Sequence, residues 1–123
     1  MSFDPTRFSI LARRLDGIVH KMQAALIRTS RSGVISSGHD CSCCLLSADS
    51  ELVTVADSIP IHVMVGPDDM SRAMHAYHPV LKRGDAFLHN SPYHGNSHAA
   101  DLSILVPVID DDGIHRFTVL SKA

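Results

Sequence analysis

Two histidines and a carboxylate crowd the turn-rich stretch Asn90-Ser91-Pro92-Tyr93-His94-Gly95-Asn96-Ser97-His98-Ala99-Ala100-Asp101. His98 and Asp101 can turn inward together, because Pro92, Gly95 and the small residues Asn96, Ser97, Ala99 and Ala100 leave their side chains unobstructed. Asp40 follows a glycine-containing loop and is placed to bring a third group from elsewhere in the chain. One imidazole and two carboxylates suit a borderline or hard divalent ion such as Zn, Mn or Fe, with positions left open for water or substrate. That is a catalytic arrangement. The competing reading is structural: Asp40 and Asp101 cap turns, and His98 hydrogen-bonds between them.

Such a loop needs a scaffold. Leu102 to Ile109 (LSILVPVI) reads as the strand behind it, and Ala86 to His89 as the short strand that delivers the chain to it. Asp110 to Gly113 is a tight turn into a further strand over Ile114 to Leu120. Upstream, Asp4-Pro5 is a helix start, and Phe8, Leu11, Leu15, Ile18, Val19, Met22 and Leu26 recur at helical spacing up to Arg28-Thr29. This stripe is expected to pack as core. Ser30 to Gly38 reads as a flexible loop, Cys41 to Leu46 and Leu52 to Ala56 as a hairpin, and Ile59 to Val65 as an extended segment. Pro67 to Tyr77 is helical again, with Asp68 or a neighbour as cap and His78-Pro79 as its end. The elements predict an α+β unit, a long N-terminal helix and a second helix packed on a mostly antiparallel sheet.

The remaining histidines carry less. His20, His75, His78 and His115 read as surface or core-satisfied residues, and His62 and His89 as intermediate cases. Cys41, Cys43 and Cys44 have no second pair at zinc-finger spacing and read as small, reduced strand residues.

The chain has 123 residues, 45% hydrophobic and 20% charged. It is expected to form a single domain over 1–123. A net charge of −2 with no basic run disfavours nucleic acid. The apolar runs fall short of a membrane span and the N-terminus lacks a secretory layout, so the expected address is cytoplasmic with no membrane contact. Neither a G-x-S-x-G elbow, a phosphate-cradling loop nor a dinucleotide fingerprint is present, so nucleotide chemistry would come from another chain.

Asp40-Cys41-Ser42-Cys43 resembles the D-x-S-C element of the hydantoinase B/oxoprolinase family, which includes the large subunits of acetone and acetophenone carboxylases. Ile59-Pro60-Ile61-His62 resembles its I-P-V-H element, and Asn90 to Asp101 its N-D-P-Y-x-G-G-x-H-x-x-D element. The resemblance implies part of a larger catalytic subunit that acts on a small molecule with a hydantoinase A-like, ATP-binding partner subunit. The implied reaction is hydrolysis of a cyclic amide such as a hydantoin, lactam or oxoproline. A ketone carboxylase is the alternative, and a non-catalytic assembly subunit the second. By position, Asp40, His98 and Asp101 look like the metal ligands, and Asn90, Tyr93 and Gly95 shape the loop. His94 fills a variable position as an added acid/base. Ser91 and Asn96 depart from the Asp and second Gly of the pattern. The family pattern continues into another ligand histidine just past a strand like Phe117 to Ala123. An excised piece, a split subunit or a small separate subunit would each take that ligand from the remainder of the subunit or a companion chain.

Overall fold

Asp4 opens the first element. Its carboxylate accepts from the N–H groups of Thr6 at 3.0 Å and Arg7 at 3.2 Å, and Pro5 takes a position where no N–H is needed. In the computed structural model, which describes residues 3–57, 59, 62 and 66–123, helix α1 runs over Pro5–Thr29 as expected. Ser30 to Gly38 is not all loop: it contains a one-turn helix, α2 (Gly33–Ser36). Ser36 Oγ donates back to Ser32 O at 2.8 Å, and Gly38 lies so close over Val34 that any β-carbon would press on its carbonyl. Strands β1 (Ser42–Ser47) and β2 (Leu52–Val55) form the hairpin.

Helix α3 (Pro67–Tyr77) differs from expectation at its start. Its cap is Gly66, at φ 117°, with no side-chain bond, and Asp68 instead pairs with Arg72 at 2.6 Å inside the helix. The reason is contact: a β-carbon on Gly66 would collide with the Gly95 carbonyl, so no capping side chain fits. The segment expected to be extended over 59–65 falls mostly outside the described residues. Strand β3 (Phe87–His89), a 3₁₀ turn (Pro92–His94), β4 (Ser103–Ile109) and β5 (His115–Lys122) complete the order.

The five strands pair antiparallel in the order β2-β1-β5-β4-β3, giving the expected α+β architecture. Because side chains alternate across a strand, β1 is buried on both faces. Cys44 and Leu46 turn towards α3, where they pack with Met70, Met74, Leu105 and Leu120. Cys43 and Leu45 turn towards α1, against Val19 and the partly buried Leu15, Met22 and Leu26. Burying each such Leu or Met is worth roughly 1.5–3 kcal/mol.

The α1 stripe is therefore core only in its C-terminal half. Phe8 is 59% and Leu11 54% exposed, since the sheet beneath ends at the β2 edge. Leu88, Ile104 and Val108 on the same sheet face are also exposed. No helix among the described residues is long and apolar enough to cross a membrane.

Candidate functional site

Polar residues on the α3 face gather at one end of the sheet. The strand register places Ser42, Lys122, Ser103 and His89 side by side across β1, β5, β4 and β3. The loop between β3 and β4 folds over this row. Asn90 Nδ2 donates to Ala99 O at 3.1 Å and closes the loop at its neck, while Ser91 O accepts from the N–H groups of His94 and Asn96. Gly95, at φ 91°, turns the chain where it touches the start of α3. Leu102 and Ala123 exchange backbone hydrogen bonds at 2.7 and 3.0 Å, so Asp101 sits one residue from the β4–β5 ladder.

Asp101 is the centre of the cluster. Its Oδ1 lies 3.5 Å from His98 Nε2, and its Oδ2 lies 3.5 Å from both His62 Nε2 and Lys122 Nζ. Asp40 joins through His62, whose Nε2 is 3.7 Å from Asp40 Oδ1. On the other side of the ring, His62 Nδ1 bonds Ser42 Oγ at 3.0 Å. Asp40 is held by α2, the element not anticipated: its N–H donates to Val34 O at 3.1 Å. His62, Lys122 and Asp101 are largely buried, whereas Asp40 and His98 stand at the rim with 45% and 61% of their side chains exposed.

Charge and burial work against each other here. Burial and the Lys122 ammonium lower the His62 pKa, against the pull of Asp101 and Asp40. A neutral ring meets both ends: Nδ1 can accept from Ser42, and an N–H at Nε2 faces the carboxylates. Burial also lowers the Lys122 pKa, with Asp101 and Asp40 pulling the other way.

Asp40, His98 and Asp101 are thus brought to one cluster, but in two contacts rather than one. Among the described residues, no three His, Cys, Asp or Glu side chains converge closely enough to hold an ion as they stand. The donor set nonetheless fits a borderline divalent ion in its chemistry, and Asp101 Oδ2 is buried without a hydrogen-bond partner among the described residues. His94 lies elsewhere on the loop, with Nε2 3.3 Å from Tyr77 Oη and the two rings edge to face.

Sequence reasoning missed three members. Lys122 closes a strand whose same-phase residues Thr118 and Leu120 are buried, and counting by two from Leu120 would have placed it inside. His62 reads from the sequence only as an intermediate case, yet it bridges Asp40 and Asp101. Asn96, where the family pattern has glycine, is 5% exposed and holds the loop: its Nδ2 donates to His98 O at 2.8 Å and Asp101 O at 2.9 Å, and its Oδ1 accepts from Ser103 Oγ. Tyr93, expected to shape the loop, is 94% exposed. The three cysteines are free and buried, as expected of structural thiols.

An α+β unit with a carboxylate–imidazole cluster folded over a sheet end is the class of molecule these observations define. The pattern of the hydantoinase B/oxoprolinase family matches residues 4–123, and the chain belongs to that family. It is 38% identical over 121 residues to the 5-oxoprolinase PfmaA of Pestalotiopsis fici, covering 97% of this chain and 9% of that one. Its fold superposes on the nucleotide-free structure of acetone carboxylase with a TM-score of 0.85, at 21% identity, over 98% of this chain and 16% of the other. The ATP-dependent caprolactamase from Pseudomonas jessenii gives 0.80 at 20% identity, over 100% and 21%. The chain spans under a quarter of the length of each of these proteins.

Proposed function

We propose that this chain is the metal-binding part of the catalytic subunit of an ATP-dependent amidohydrolase acting on cyclic amides of the hydantoin, lactam or oxoproline kind. The observation that carries the reading is Asp101, a buried carboxylate facing His98 on one oxygen and His62, the neighbour of Asp40, on the other. The 38% identity to a 5-oxoprolinase and the fold shared with a caprolactamase support the substrate class.

Asp40, His98 and Asp101 would hold a divalent ion of zinc, manganese or iron, with His62 setting the carboxylates and Ser42 setting His62. A bound ion supplies polarisation of the amide carbonyl or a water of lowered pKa. His94, oriented by Tyr77, is the proposed proton carrier. ATP would be bound by a hydantoinase A-like partner subunit, and the remainder of the subunit or a companion chain would complete the site. The fold is shared with acetone carboxylase as well, and ketone carboxylation with the same ligands is the second reading.

Elemental analysis of the purified complex tests the ion, with stoichiometric metal expected in the wild type and lost in His98→Ala. A wild type without stoichiometric metal, or a variant that keeps metal and activity, ends the metal-dependent reading. ATP turnover stimulated by lactams or hydantoins supports the hydrolase, and turnover stimulated only by ketone plus bicarbonate replaces it with the carboxylase.

A further inference from the structure

Lys122 ends β5 on the buried phase of the strand, with its side chain 1% exposed. Its Nζ donates to Ser97 Oγ and lies 3.5 Å from Asp101 Oδ2. Both partners belong to the loop and the lysine to the sheet, so the ammonium joins the two. An ammonium this deep needs a carboxylate, because an unpaired buried charge is costly. Asp101 Oδ2 in turn accepts no hydrogen bond from the described residues, and the ammonium faces it at ion-pair distance.

We propose that Lys122 is a positioning residue, a resident cation that clamps Ser97 and Asp101 onto the sheet and competes with an incoming divalent ion for Asp101 Oδ2. This rests on the reading that Asp40, His98 and Asp101 take up such an ion. The physical ground is like-charge repulsion: an ammonium and a divalent ion drawn to one carboxylate oxygen oppose each other at a few ångströms. The lysine's flexible four-carbon stem lets Nζ withdraw while its backbone stays in the ladder.

The test uses the full-length protein with Mn²⁺ as probe, reading affinity from the EPR signal of free ion and loop order from limited proteolysis within 96–101. Metal-free Lys122→Met should be cut in the loop about tenfold faster than wild type, and should bind Mn²⁺ about tenfold more tightly. Saturating Mn²⁺ should restore the wild-type cutting rate, a rescue that lost packing alone would not give. Equal or weaker Mn²⁺ affinity, or unchanged cutting, overturns the proposal. If Lys122→Met does not fold, Ser97→Ala removes the hydroxyl anchor and keeps both charges. Mn²⁺ binding tighter by a few-fold supports the competition, and unchanged binding overturns it. A wild type that takes up no Mn²⁺ overturns the competition together with the ion reading, and the cutting rate then decides the clamp alone.

Discussion

Two neighbouring cross-strand rows on the α3 face of the sheet have opposite chemistry. Cys44, Leu120, Leu105 and Phe87 form one; two residues along, Ser42, Lys122, Ser103 and His89 form the other. The first lies under Met70 and Met74 of α3, while the second lies under a loop and His62. Apolar burial is non-directional, whereas each buried polar group must find its particular partner. Stability and chemistry are thus set one pleat period apart, roughly 7 Å along the strand.

The sharpest way to break this contrast is at Asp101. Asp101→Asn leaves the Lys122 ammonium buried without its counter-charge, and should cost about 3–5 kcal/mol in denaturant unfolding. Adding Lys122→Met should recover most of that loss. Strictly additive losses would show that the two side chains are not partners. In the apolar row, Leu120→Ala opens a cavity under α3 and should cost about 2–5 kcal/mol with no such rescue available. A loss below about 1 kcal/mol would remove Leu120 from the core.

Smaller effects are expected where the rows meet their covers. Gly95→Ala forces a β-carbon into the Gly66 carbonyl and to 2.9 Å from Asp69 Cβ at a φ of 91°. It should lower stability by about 1–3 kcal/mol, and a melting temperature equal to wild type would contradict the close contact. The smallest effect at ordinary pH belongs to Cys44, whose thiol burial pushes up to about 12 from 9.0. Its folded pKa is raised, so its contribution is full below pH 9 and is lost as pH climbs from 9 towards 12. Unfolding free energy measured across that range should fall for wild type and fall less for Cys44→Ala; parallel curves would assign the alkaline loss to other groups.

Much of this was legible from local signals. Asp4-Pro5 sets the start of α1, alternation sets the strands, and small residues around His98 and Asp101 mark the loop. What local signals cannot carry is which strands become neighbours. Lys122 belongs to the site only because β5 lies between β1 and β4, and no spacing within FTVLSK encodes that pairing. Helix α2 escaped because four residues of GVIS are too few for a period. The exposed front half of α1 escaped for the opposite reason: its stripe is continuous, and only the edge of the sheet decides where cover ends.

The backbone contact between Gly66 and Gly95 has a mechanical consequence. With no room for a β-carbon at either glycine, the first turn of α3 and the loop that bears Asp101 meet backbone to backbone. A side chain added at either glycine must therefore displace the start of α3 or the loop, and Asp101 rides on that loop.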